Sequence, residues 1–197
     1  IEVTMENGII KVVSPIDVQV RSTVAARSDA VVVTGNPIED ATVQHVYRWT
    51  AAGFGPLTDA NGVHTAAVGG DTVIVRLATL DEPGATWTLP GGETLASPTE
   101  RPLVHPNISL AVRGNELSLD AVLLPHDHDG SPLPVLLDPY GGPHAQRVVR
   151  SHNAYLTSQW FADQGFAVVV ADGRGTPGRG SEFERAVHHD LATGVLD

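Results

Sequence analysis

Tyr140 is the residue that its neighbours best equip for chemistry. It stands in the turn Asp138-Pro139-Tyr140-Gly141-Gly142-Pro143, directly after the apolar stretch that begins at Leu133. A short apolar strand ending in a Gly/Pro turn is how an α/β sheet delivers a polar group to its working edge. A tyrosine hydroxyl there can donate to a developing oxyanion, a contribution of about 3 kcal/mol for one well-placed donor. The same letters also fit a plain turn around a packed aromatic, and the residues alone leave both readings open.

Other groupings have weaker claims. Asp172 to Gly180 contains Gly173-x-Gly175-x-x-Gly178 after a strand, the letters of a dinucleotide-binding turn. In such a turn the helix opens among the glycines. Here Ser181 and Glu184 have the spacing of a capping box, which puts the helix start after all three glycines. A long glycine loop is the better reading. His126-Asp127-His128-Asp129 alternates imidazole and carboxylate, but a metal needs three or four converging ligands, and a solvated turn before Gly130-Ser131-Pro132 explains it. His188-His189-Asp190 suits the C-terminal end of a helix. No metal and no cofactor is expected. No G-x-S-x-G occurs, so no serine sits on a nucleophile elbow.

These turns must be held by two kinds of structure. Residues 1–89 read as short antiparallel strands: Ala30 to Thr34 and Val43 to Trp49 around a turn-rich Gly35 to Ala41, then Val63 to Val68 and Thr72 to Thr79 across Gly69-Gly70-Asp71, then Ala85 to Leu89. Two clusters of similar spacing suggest about two blades of an antiparallel β-propeller. Residues 90–106 hold four prolines and no apolar period, and read as a linker. Residues 107–197 change pattern. Asn107 to Arg113 and Leu117 to Leu124 form a hairpin across Gly114-Asn115, and Leu133 to Asp138 is a strand buried on both faces. A helix from Ser151 to Gln164 faces the sheet with Ala154, Leu156, Trp160 and Phe161 and stops at Gly165, and Phe166 to Ala171 is a parallel neighbour strand. The fold class is therefore two-part, all-β followed by α/β.

Composition narrows the function. Net charge is −11, and 11 of the 12 basic residues are Arg, with Lys11 the only lysine. This acidic balance argues against nucleic acid or an anionic membrane as partner. No apolar run approaches the ~18 residues of a membrane span. Zero cysteine excludes disulfides, thiolate metal sites and cysteine catalysis. No targeting signal is readable, and with no cysteine the cytoplasm is the easier expectation. A start at Ile1 gives the expectation of a piece of a longer protein.

Asp138 to Pro143, followed by Asp172-Gly173-Arg174-Gly175, resembles the start of the catalytic domain of prolyl oligopeptidase family serine peptidases, particularly the dipeptidyl peptidase IV branch. His45 to Trp49 and Gly55 to Thr58 are similar to the last blades of that family's propeller. The resemblance implies an α/β-hydrolase domain, here its N-terminal part, that cleaves peptides with a Ser-Asp-His triad under a propeller cap. It implies that Tyr140 is the oxyanion donor and that His144 to Arg147 lie on the substrate side of the turn, with His144 and Arg147 as the candidate substrate contacts. It assigns Asp172 and Arg174 to the scaffold beneath. The triad itself is absent from these 197 residues, so the chain alone is expected to be inactive. A peptide is the expected substrate, and a homodimer of the whole enzyme is a further expectation. The rivals are another α/β-hydrolase (an esterase or acylaminoacyl peptidase) and a non-catalytic propeller module that binds partners.

Overall fold

The computed structural model describes residues 3–196 except 7–8, 98 and 114–117. A two-stranded ribbon, β1 (Val3–Glu6) and β2 (Ile9–Val12), precedes two four-stranded antiparallel sheets. The first sheet is β3 (Val18–Ala26), β4 (Ala30–Pro37), β5 (His45–Thr50) and β6 (Gly53–Pro56), in chain order. The second is β7 (Val63–Gly69), β8 (Thr72–Ala78), β9 (Thr86–Thr88) and β10 (Thr94–Leu95), also in chain order. Each sheet is a meander, because every turn is too short for a crossover. In β4 the run of β-branched residues places Val32 and Val33, on opposite faces, both in the buried core.

Two departures from the sequence reading lie here. β4 runs on through Gly35, Asn36 and Pro37, inside the stretch expected to turn. The Asn36 side chain is fully buried and donates to the Gly178 carbonyl at 2.7 Å, so a distant loop supplies the partner that makes a buried amide tolerable there. The stretch expected as a linker contributes β10, whose Thr94 and Leu95 pair with Thr88 and Trp87.

The third sheet is mixed. Its order is β11 (Ile108–Arg113), β12 (Ser118–Leu123), β14 (Ala167–Asp172), β13 (Val135–Tyr140), and β13 runs parallel to β14. The expected hairpin forms, with Ile108 opposite Leu123, while its Gly114-Asn115 turn lies outside the described residues. Between the parallel strands the chain makes a 3-10 turn, His152–Tyr155, and then α1 (Leu156–Ala162), which packs on β14 and β12. Leu119, Ala121, Leu123, Val168 and Val170 of the sheet and Val148, Tyr155 and Ala162 of the crossover form one core. No helix among the described residues is long and apolar enough to cross a membrane.

The crossover is as expected in kind but not in detail. Its helical part is split, and the buried face is Tyr155, Ser158, Gln159 and Ala162 rather than Ala154, Leu156, Trp160 and Phe161. Gln159 is buried because both ends of its amide are used: its oxygen accepts the Asn107 N–H at 2.7 Å and its nitrogen donates to the Leu124 carbonyl at 3.0 Å. Trp160 is therefore turned outward, at 51% exposure. The helix ends at Ala162, short of the expected Gln164, and Gly165, at φ +97, closes the turn that follows rather than standing next to the cap. β13 is not buried on both faces. It is the last strand in the order, with Val135 59% and Leu137 67% exposed, and only the row Leu136, Asp138, Tyr140 is partly covered.

Segments 144–152 and 173–180 fasten this sheet to the other two. The Gln146 amide donates to the Ala41 carbonyl at 2.6 Å, the Arg150 N–H to the Thr42 carbonyl at 2.8 Å, and the His152 N–H to the Thr79 carbonyl at 2.7 Å. Arg150 adds Nε to Thr42 Oγ1 at 3.0 Å and an ion pair with Asp40 at 3.6 Å.

Candidate active site

The two turns singled out by sequence emerge side by side. Tyr140 ends β13, Asp172 ends β14, and the two residues are paired in the parallel register. Both loops therefore leave from the carboxyl edge of the same strand pair, where open α/β sheets bind their ligands. The Gly173 N–H donates to the Tyr140 carbonyl at 2.8 Å, which continues the ladder one step into the loops.

The Tyr140 side chain is half-buried, and the chain after it folds back to its hydroxyl end. The His144 backbone N–H donates to the Tyr140 hydroxyl oxygen at 3.2 Å. A hydroxyl oxygen that accepts this bond still has its own proton to donate. Gly141 lets the turn lie against Val195, which precedes the end of α3 (Thr193–Leu196); a Cβ at Gly141 would stand 2.5 Å from a Val195 methyl.

Carboxylates hold the base of this loop. Arg147 grips Asp138 with both arms of its guanidinium, at 3.2 Å to Oδ1 and 2.6 Å to Oδ2. Asp172 accepts the Arg147 N–H on both oxygens, at 3.0 and 2.9 Å, and the Val148 N–H on Oδ2 at 2.7 Å. Burial holds the Asp172 carboxyl above its usual range, although these N–H groups, Arg147 and Arg21 all favour the charged form. The next residue is pinned as well. Tyr155 donates to the Val149 carbonyl and accepts the Val149 N–H, each at 2.9 Å, and burial pushes its phenol far up.

The candidate residues divide. Tyr140 and His144 come together through the N–H contact. His144 is exposed and lines a cleft of about 210 Å³ with Arg21, Thr42, Gln44, Val63 and Gln146, between the first two sheets and the returning loop. Arg147 is not in that lining, and its guanidinium is on Asp138. Asp172 is beneath the loop, the scaffolding position expected of it.

Sequence reasoning missed Arg21 and Asn36, and their link to Gln146. Arg21 Nη1, on β3, donates to Asn36 Oδ1 of β4 at 3.1 Å and to Gln146 Oε1 at 2.8 Å, joining both strands to the segment after Tyr140. Burial lowers its pKa, against the pull of Glu184 and Asp172. Gln146 is 125 positions away from Arg21, so no local pattern could have paired them.

The remaining groupings fall to structural roles. α2 (Ser181–Arg185) starts after the three glycines, so no helix N-terminus faces into the Gly173 to Gly178 turn. Gly175 and Gly178 are at φ +88 and +102. A Cβ would meet Val187 at Gly175 and Arg21 at Gly178, so these glycines serve close packing. The expected capping box does not form: Gly180 is the N-cap and makes no side-chain bond. The Glu184 carboxylate instead accepts the Gly178 N–H at 3.0 Å and the Gln19 amide at 3.3 Å, having been drawn to the loop and β3. His126 turns to Asp163 at 2.9 Å, and Asp129 accepts the Ser131 N–H at 2.9 Å, the contacts of a surface turn. His188 and His189 lie ring to ring at 3.7 Å, after α2.

The architecture, two antiparallel meanders docked on a mixed sheet with one parallel crossover, has known counterparts. Residues 152–197 match the prolyl oligopeptidase family. The structure is similar to that of Porphyromonas gingivalis dipeptidyl peptidase 4, with a TM-score of 0.78 and 19% sequence identity over 95% of this chain. The chain spans 29% of the length of that structure. The likeness to this family read from Asp138–Pro143 and Asp172–Gly175 is thus borne out by two comparisons, one of which begins after Tyr140.

Proposed function

We propose that this chain is part of a serine peptidase of the dipeptidyl or oligopeptidyl type. In this reading residues 1–89 are two blades of a β-propeller and 90–106 the connection. Residues 107–197 are the first part of an α/β-hydrolase domain. Its strand pair β13 and β14 carries the oxyanion side of the active site, and the Ser-Asp-His triad comes from chain outside these 197 residues.

The observation that carries the reading is the setting of the Tyr140 hydroxyl. It stands at the carboxyl end of a parallel strand, receives the His144 N–H at 3.2 Å, and keeps its proton to give. During acylation the serine oxygen attacks the peptide carbonyl carbon, and the carbonyl oxygen gains negative charge. A phenol already oriented toward that oxygen needs no reorganisation at the moment of reaction, which is where an oxyanion donor gets its effect. In this reading His144, on the rim of the cleft, meets the peptide.

The test is covalent labelling. The full-length protein should react stoichiometrically with a fluorophosphonate and release chromophore from a dipeptidyl nitroanilide. The 197-residue chain should do neither. A full-length protein that binds peptides but never labels would support the binding-module reading instead.

A further inference from the structure

We infer that Arg147 is a positioning residue for Tyr140 and makes no contact with substrate. The inference rests on the oxyanion reading of Tyr140. Arg147 is held at both ends. Its backbone N–H is on Asp172, at the end of β14, and its guanidinium is on Asp138, near the end of β13. Asp138 and Tyr140 are two residues apart in one strand and share the face that is partly covered. The chain from Asp138 to Arg147 is therefore closed at its base by one bidentate ion pair. Inside that closed segment lies the His144 N–H, which donates to the Tyr140 hydroxyl.

The residue type matters. A guanidinium presents two parallel N–H groups that fix both distance and direction against a carboxylate, whereas an ammonium fixes distance alone. The pair is 40% and 36% exposed, so its loss leaves the fold standing and acts on the loop. Without it the loop stays tied at the Arg147 N–H but is free at the side chain, and the His144 N–H drifts from the phenol. A hydroxyl misplaced by a fraction of an ångström loses much of its effect on a transition state.

Backbone amide exchange by NMR on this chain reads the geometry directly. In Arg147→Met the His144 amide should exchange about tenfold faster, as it should in Tyr140→Phe, while the Val148 amide on Asp172 stays protected. Arg147→Lys should fall between. In the full-length enzyme Arg147→Met should lower kcat on the order of 10- to 100-fold with KM almost unchanged, and Arg147→Lys should recover part. Unchanged His144 exchange in Arg147→Met overturns the inference. So does a raised KM with kcat intact, which would return Arg147 to the substrate. If Tyr140→Phe leaves kcat unchanged, the oxyanion reading falls by itself, and the exchange result alone then decides whether Arg147 orders the loop.

Discussion

Asp172→Asn tests the joint that holds the loops of the site together. Asp172 is 1% exposed, and its two oxygens share the Arg147 and Val148 N–H groups at 2.7–3.0 Å. Asparagine keeps the shape but has one oxygen, and it turns an NH2 toward one of those donors. A hydrogen bond to a charged acceptor contributes about 1.5–3 kcal/mol, and a buried donor left without a partner costs about 1–3 kcal/mol. Removing the buried charge gives back part of this, because burial already disfavours the carboxylate. The net expectation is a loss of about 2 kcal/mol, from the hydrogen-bond terms less the desolvation relief. In urea, with a slope of about 2 kcal/mol/M, the midpoint should fall by about 1 M at constant slope. The amide resonances of Arg147 and Val148 should move most. An unchanged midpoint with unmoved resonances would refute the claim that Asp172 anchors the segment.

Tyr155→Phe removes a hydroxyl that both donates to and accepts from Val149, stranding two backbone groups; a loss of about 1–3 kcal/mol by chemical denaturation is expected. Acid should weaken the chain through His64, which is buried between the first two sheets with Nδ1 2.8 Å from the Gln44 carbonyl. Burial lowers the pKa of His64, and of its ring neighbour His45, so the unfolded chain takes up protons near pH 6.5 while the folded chain resists. Stability then falls as pH drops below about 6.5, by at most about 1.4 kcal/mol per pH unit for each histidine. His64→Gln should flatten that slope; an identical slope would remove His64 from the account. Asp172 has the opposite sign. Its raised pKa means the folded chain binds the proton first, so this group adds stability as pH falls from that raised value toward 3.8. Asp172→Asn should abolish that gain, and the gap between the two proteins should widen in acid.

Much of the fold was legible because its signals are local. Runs such as Ala30 to Thr34 and Phe166 to Ala171, with Gly and Pro between them, mark strands wherever the strands end up. What was misread depends on distant partners. An apolar run has the same letters whether one face or two are covered, so the open face of β13 was hidden. Apolar period placed Trp160 and Phe161 inside, whereas Gln159 is inside because Asn107 and Leu124 satisfy its amide. Ser181 and Glu184 have capping-box spacing, but Glu184 is taken by the Gly178 N–H and Gln19. That Tyr140 and Asp172 would stand at the ends of neighbouring strands was legible from the turns that follow them. That Arg147 would reach back to Asp138 was not legible, because the loop between them can be closed in many ways.

Pre-steady-state acylation of the full-length protein tests the proposed donor role of the Tyr140 hydroxyl. Tyr140→Phe keeps the ring and deletes the oxygen that His144 holds at 3.2 Å. The account predicts an acylation rate lower by roughly 100- to 1000-fold with substrate affinity little changed, the loss seen when one oxyanion donor is removed. An unaltered acylation rate, or a loss confined to KM, would contradict it.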